Sequence, residues 1–490
     1  MTDLITILGD EEESYKSIDV ITDHHIETMA RHWRSDAGRD ELTRQIMALR
    51  LVYDWPALKA IVGICPGIRA ESFKINDLFN VMDMHVPLGH GFRAENQMFL
   101  DSRRLIGAKA CLKMLLLTMF YIDYQVAISQ KSEEIKKHYM FAEALARRMQ
   151  KRGMEFSENF ETPEFIRGDV SFVSLNYDPI GLWMQFIANR TLNNSPAVPH
   201  VGTPAARLQI FHDMGHFIPA RRVDPRRRPS LWYPMNEAAA QRLNESNTTQ
   251  RVRLSKFLFP HGNLCWRECP DCGKLSAYFG DEWEILSACP FPPPPLKGFE
   301  TRAVDLDLDS LCESDRAQRQ KEIEARTRGQ VDARACLHCG TLTYCHHTQT
   351  VMQSSFKQTP PSFIDEIQRD LRSVVMQADH IILMGYSLPI DDVTYRSFFA
   401  ARQQRSNSNT GASKIRCTVV GLCDKHPGWV APHDLKRGTY PEGTPVRSAL
   451  DIFGEDNVRF YGGGIPNVLL DGSGAVSAQR VDDLLTWTET

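Results

Sequence analysis

Apolar and polar positions divide the chain into three kinds of stretch. Leu4 to Leu8 is a short apolar run ending at Gly9, the pattern of a buried strand that closes in a tight turn. From about Asp23 to Gly153 apolar residues recur at helical spacing, most regularly between Glu95 and Met149. Val170 to Leu175 reads as a buried strand that runs straight into Asn176-Tyr177-Asp178-Pro179. The last third alternates. Ser362 stands where it can cap a helix whose Ile364, Ile367, Leu371, Val374, Val375 and Ala378 share one face. His380 to Met384 reads as a buried strand, Gly385-Tyr386-Ser387-Leu388-Pro389 as its turn, and Asp391-Asp392 as the opening of the next helix. Lys414 to Leu422 is a further strand ending at Cys423-Asp424, and Val458 to Tyr461 is a short one before Gly462-Gly463-Gly464. Strand, turn, helix and strand in this order predict a parallel sheet. Ligands bind such sheets beyond the carboxyl ends of the strands, where small residues let backbone N–H groups approach a phosphate. Asn-x-Asp-Pro is also ordinary turn chemistry, so residues 176–179 fit a ligand edge and a plain turn equally.

The stretch from Phe257 to Cys272 carries the most chemistry. A short apolar strand leads to His261-Gly262, then Trp266, then the C-x2-C pair Cys269 and Cys272. A second pair follows at Cys336 and Cys339. Two such pairs are the sequence form of a four-thiolate zinc site, closed and structural because no coordination position is left open. Cys265, Cys289, Cys312 and Cys345 are surplus to that set and read as packing residues, with Cys265 or Cys345 the candidate substitutes. Between the pairs lie an extended proline run, Pro290 to Pro295, and a charged helical piece from Glu313 to Arg328. Pro199 to Asn247 reads as irregular. Its His212 and His216 have helical metal spacing, but Gly215 weakens that helix. Its Arg221, Arg222, Arg226, Arg227 and Arg228 read as a solvated loop, with a phosphate or nucleic-acid role as the lesser alternative.

Charge adds little: 57 Lys and Arg against 61 Asp and Glu give −4, no argument for nucleic acid or for an acidic substrate. The longest apolar run, Met114 to Ile122, is too short to span a bilayer. The start carries Asp3 and shows no basic segment followed by an apolar core, so no secretory signal is expected. Twelve cysteines in 490 residues, some with knuckle spacing, fit thiolates on metal in a reducing cytoplasm better than a disulfide framework.

Taken in order, these motifs resemble the sirtuin family, and more closely its divergent bacterial branch. Ser174-Leu175-Asn176-Tyr177-Asp178 is similar to the family's Thr-x-Asn-x-Asp. His261-Gly262-Asn263-Leu264-Cys265-Trp266 is similar to its His-Gly-Ser-Leu-x-Trp, and Gly385-Tyr386-Ser387-Leu388 to its Gly-(Thr/Tyr)-Ser-Leu. Gly464-Ile465-Pro466 resembles the close of the same domain, so the likeness runs roughly from Val170 to Val468. The resemblance implies an α/β fold: a Rossmann-type parallel sheet with an inserted zinc ribbon and a helical N-terminal region. Residues 1–165 would be a degenerate first strand plus the helical region. Residues 166–260 and 356–475 would form the two parts of the Rossmann-like domain, 261–355 the zinc module with its long insertion, and 476–490 a tail.

The resemblance also assigns roles. His261 would be the general base at the nicotinamide ribose, Asn176 would position the ribose or a water, and Asp178 would lie near the nicotinamide end. Gly9, Ser174, Gly385 and Ser387 would contact the dinucleotide, and Asp424 would bind the adenosine ribose. Cys269, Cys272, Cys336 and Cys339 would hold Zn2+. The departure is at the start. The family's Gly-Ala-Gly-x-Ser loop corresponds to Leu8-Gly9 followed by Asp10-Glu11-Glu12-Glu13, and carboxylates are poor company for a diphosphate. The loop could lie upstream, binding could survive on the other motifs, or NAD binding could be lost.

The implied activity is NAD+ hydrolysis at the nicotinamide glycosidic bond, which in the bacterial branch is associated with defence against phage. The alternatives are NAD-dependent deacylation of protein lysines and a non-catalytic zinc-containing module that binds a nucleotide or a partner. NAD is then the substrate, and a protein partner or a second copy of the chain is expected. Neither a membrane nor a nucleic acid is expected as a partner.

Overall fold

The structure, a computed structural model, describes residues 55–65, 75–88, 91–94, 98–109, 112, 132–155, 162, 165, 170–178, 180–193, 220–222, 241–242, 245, 253–254, 256–268, 275–279, 334–335, 342–343, 347–351, 362–390, 392–408 and 413–487. The strand expected at Leu4 to Leu8 lies outside them.

The first helices are α1 (Trp55–Gly63) and α2 (Ile75–Leu88). Two short strands follow, β1 (Phe92–Arg93) and β2 (Phe99–Leu100), paired antiparallel. They interrupt the stretch whose apolar spacing is mostly helical. The N–H of Ala94 bonds to the carbonyl of Met98, and Gly91 lies against Phe99, where a Cβ would stand 2.6 Å from the ring. Next come α3 (Ser132–Met154), β3 (Ser171–Val173) and α4 (Ile180–Asn193).

β4 (Ala220–Arg222), β5 (Lys256–Leu258), β6 (Gly262–Glu268) and β7 (Leu275–Phe279) come next, then β8 (Arg334–Ala335), β9 (Leu342–Thr343) and β10 (His347–Thr350). Among the described residues β3 pairs with β5 alone, in parallel. β3 is not the buried strand its composition suggests: Ser171 and Val173 are exposed, and Phe172 turns inward to stack on Phe257 at 4.5 Å. β10, β6, β7 and β4 form a second sheet in that order. β4 lies in the segment read as irregular and contains Arg221 and Arg222. Its pairing with residues 277–279 of β7 is a long-range backbone contact that local composition does not encode.

The C-terminal third holds α5 (Ser362–Gln377), β11 (His380–Met384), α6 (Val393–Asn407), β12 (Arg416–Val420), β13 (Trp429–Val430), α7 (Pro445–Phe453), β14 (Val458–Tyr461) and α8 (Ala478–Leu485). The sheet order is β11-β12-β14-β13. The first three strands are parallel, with Ile382 opposite Thr418 and Thr418 opposite Arg459, and β13 runs antiparallel. α6 and α7 are the crossovers, as parallel neighbours require. One sheet face buries Leu383, Cys417, Val419, Val458 and Phe460 with Tyr395, Phe399, Ala449, Leu450 and Phe453. Ile364, Ile367, Leu371 and Val375 of α5 join that core, as their spacing predicts. The other face packs Val420 with Leu145 of α3 and Val481 and Leu484 of α8. Among the described residues no helix is long and apolar enough to cross a membrane.

A polar row crosses this second face and fastens the end of α8. Arg459 donates through Nε to Thr418 Oγ1 at 2.8 Å, and through Nη2 to the carbonyls of Asp483, Leu484 and Thr486. Its guanidinium also lies over the rings of Trp429 and Trp487. His380 Nε2 is 2.6 Å from Thr418 Oγ1, and its Nδ1 is 3.2 Å from the carbonyl of Leu485. A neutral imidazole satisfies both, donating from Nδ1 and accepting at Nε2. Burial lowers the His380 pKa to about 4, with Arg459 and Arg416 adding to the effect. The unfolded chain therefore binds the proton first. Stability from this group is complete above the ordinary histidine range and is lost as pH falls toward 4, by roughly 3 kcal/mol in all. Thermal unfolding between pH 7 and pH 4.5 checks this, since His380→Gln should show a shallower decline than wild type.

Candidate functional site

His261 sits in the turn between β5 and β6. The N–H of Gly262 closes the turn on the Phe259 carbonyl at 2.9 Å, and Gly262 has φ +80°. Three further contacts hold this turn. The N–H of Val351 donates to the His261 carbonyl at 2.8 Å, Gln368 Nε2 donates to the Pro260 carbonyl at 3.1 Å, and Lys256 pairs with Asp370 of α5 at 2.8 Å. The side chain is fully buried. Its Nδ1 lies 3.2 Å from the carbonyl of Leu175, directly before Asn176. With the proton on Nδ1, this bond leaves Nε2 as the basic nitrogen.

The Ser174–Asp178 segment extends β3. The N–H of Ser174 bonds to the Leu258 carbonyl at 2.9 Å, continuing the pairing with β5. Asn176 is exposed, while Tyr177 is buried and donates its hydroxyl to the Val351 carbonyl at 3.1 Å. Asp178 is partly buried and accepts the N–H of Ile180 at 3.0 Å, so its carboxyl group serves the first turn of α4. Enclosure raises its pKa above the usual carboxylate range, against the opposing pull of that N–H. Ser174, Leu175 and His261 are thus brought together. Asp178 has a local structural role beside the one expected of it.

The Gly385 turn leaves the carboxyl end of β11. Gly385 has φ +66°, and its N–H reaches the Val420 carbonyl at 3.4 Å. Gly385 and Ser387 are exposed. Leu388 folds inward with φ +51° and is fully buried. Asp391 lies outside the described residues. Asp392 is the N-cap residue of α6, but its side chain does not cap the helix. Instead Asp392 is 4 % exposed and accepts the Tyr386 hydroxyl at 2.7 Å. Burial, then the Asp392 carboxylate, pushes the Tyr386 hydroxyl well above its ordinary pKa. The same two causes act on Tyr395, so both stay neutral donors. The Tyr395 ring stands edge-on to His261, 5.3 Å between centroids, and Tyr177 lies 6.2 Å from His261 on another side.

Tyr177, His261, Tyr395, Asp392 and Tyr386 therefore form one buried cluster linking the carboxyl ends of β3, β5 and β11. Tyr395 is the member that motif reading misses. Its signal is faint: it stands three residues after Asp392, one turn into a helix that opens at the ligand edge.

Asp424 is exposed in the turn after β12 and stands apart from the cluster among the described residues. The rim beside it is tightly built: the Cys423 N–H bonds to the Gly462 carbonyl and the Gly464 N–H to the Gly421 carbonyl. A Cβ on Gly462 would stand 1.7 Å from the His426 carbonyl oxygen, so only glycine fits there. Gly9, Cys269, Cys272, Cys336 and Cys339 lie outside the described residues. The paired strands β6–β7 and β8–β9 flank the two segments that contain the cysteines, 269–274 and 336–341. Among the described residues no group of three or more His, Cys, Asp or Glu is placed to hold a metal ion. No protein family, curated relative or solved structure matches the chain.

Proposed function

We propose that the protein is a sirtuin-like NAD+ hydrolase. Water adds to the ribose carbon as its bond to nicotinamide breaks, and nicotinamide, ADP-ribose and a proton leave. His261 Nε2 takes the proton, Asn176 orients the water or the ribose, and Asp178 lies near the nicotinamide. Ser174, the Gly385 backbone and the Ser387 hydroxyl hold the phosphates or ribose, and Asp424 binds the adenosine ribose. Zn2+ on the four knuckle cysteines is structural in this reading, and the compartment is the cytoplasm. The supporting observation is the contact of His261 with the Leu175 carbonyl, which joins two of the motifs behind the resemblance, while the Tyr395 ring ties His261 to the helix that follows the third.

The burial of His261 favours a second reading. An imidazole at 0 % exposure, flanked by two tyrosines, also suits packing alone, and the chain would then be a non-catalytic binding module.

Nicotinamide release from NAD separates the readings. Asn176 is exposed, so Asn176→Ala should keep the wild-type melting temperature and zinc content. Its release should fall about 100-fold. No release by folded wild type, with or without an acetylated peptide, would sink the enzyme reading. Release only with that peptide would identify a deacylase.

A further inference from the structure

A second region of chemistry lies on the far face of the C-terminal sheet. α3 and α8 enclose a cavity of about 720 Å³, with the loop before α8 closing one side. Its α3 wall carries Arg147, Arg148, Lys151 and Arg152, and Glu143, Glu155 and Asp482 also line it, so the lining carries one excess positive charge. The opposite wall includes Val476 and Ala478, both accessible to solvent. None of these residues belongs to the cluster around His261.

Cations in the last turn of a helix offset its dipole, which is the ordinary reason for them. That reason does not account for two like-charged pairs, Arg147 with Lys151 and Arg148 with Arg152. Each is spaced i,i+4 and each costs helix stability. Nor does it account for a cavity lined by all four. Arg148 is engaged with Asp482 of α8 and holds the two helices together. Arg147 pairs with Glu143 at 2.5 Å and Arg152 with Glu155 at 3.6 Å, both within α3 or at its end and both largely exposed. Exposed pairs of this kind contribute about 0–1 kcal/mol, so a phosphate can recruit either guanidinium at little cost. A guanidinium binds phosphate through two parallel N–H bonds, while an ammonium acts as a point charge. Lys151 is exposed and has no ion pair among the described residues.

The cavity also limits the ligand. Its volume falls in the range of small-molecule sites, roughly 300–1,000 Å³. An inorganic anion would leave the apolar wall unused. We propose that this cavity binds a nucleotide-sized organic phosphate, with its phosphates on Arg147, Lys151 and Arg152 and its ring against Val476 and Ala478. The proposal does not rest on the activity proposed above.

Titration calorimetry of the full chain with ATP as probe tests it. ATP should bind, and Lys151→Glu and Lys151→Gln should weaken binding by about tenfold and severalfold. Raising NaCl from ~50 to ~500 mM should also weaken it. Ser387→Glu places a charge at the other candidate site and should leave ATP binding unchanged. Melting temperatures of the Lys151 variants within about 2 °C of wild type would confirm that they fold. Three results would overturn the proposal: no ATP binding at millimolar concentration, binding lost in Ser387→Glu but kept in both Lys151 variants, or inorganic triphosphate binding as tightly as ATP.

Discussion

His261→Asn is expected to lower nicotinamide release from NAD by about 10²–10⁴-fold, the usual contribution of a general base. The physical basis is the bond from Nδ1 to the Leu175 carbonyl, which leaves Nε2 as the nitrogen able to take a proton. Asparagine can keep a donor near that carbonyl but has no group that titrates near neutrality. The substitution also shrinks a fully buried side chain, so roughly 1–3 kcal/mol of stability should go with it. Activity and stability must therefore be read together. At a temperature where both proteins are folded, kcat should fall while KM changes little. Equal turnover by folded His261→Asn and wild type would leave His261 as a packing residue. The non-catalytic reading would then be preferred if wild type also failed to turn over.

Arg459→Met is expected to cost about 3–5 kcal/mol, the range for removing one partner from a buried charged network. Arg459 is 5 % exposed and donates to Thr418 and to three carbonyls at the end of α8. Methionine replaces the stem but leaves those carbonyls without their donor. His380 feels the change as well, because it shares Thr418 with Arg459. Burial lowers the Arg459 pKa to about 10, so the guanidinium still carries its charge near neutrality. The melting temperature should drop by roughly 10 °C. Arg459→Lys should recover part of this, since an ammonium reaches fewer of the carbonyls. A drop under about 2 °C would show that α8 is held by Val481 and Leu484 alone.

Residues close in sequence carried most of what could be read without the structure. His380 to Met384 and Val458 to Tyr461 are strands with the bounds their apolar runs suggest. The face of α5 follows from the spacing of Ile364, Ile367, Leu371 and Val375, because helical periodicity is a local property. The turns after β11 and β14 were marked by Gly385 and Gly462, where a positive φ or a close backbone approach excludes a side chain. His261, Asn176 and Ser387 stood out as chemistry because each lies in a short motif at the end of an apolar run.

Contacts between distant segments were decided only by the tertiary structure. The partner of β3 among the described residues is β5, and Ser171 and Val173 are exposed, contrary to their composition. β4 exists because residues 277–279 offer it a backbone ladder. Tyr395 lies against His261 through the packing of α6 on the β5 turn, and the four cations of α3 line a cavity because α8 folds back opposite them. Sequence spacing specifies which face a side chain takes on its own element. The neighbour it meets depends on how elements far apart in the chain bury their apolar faces together.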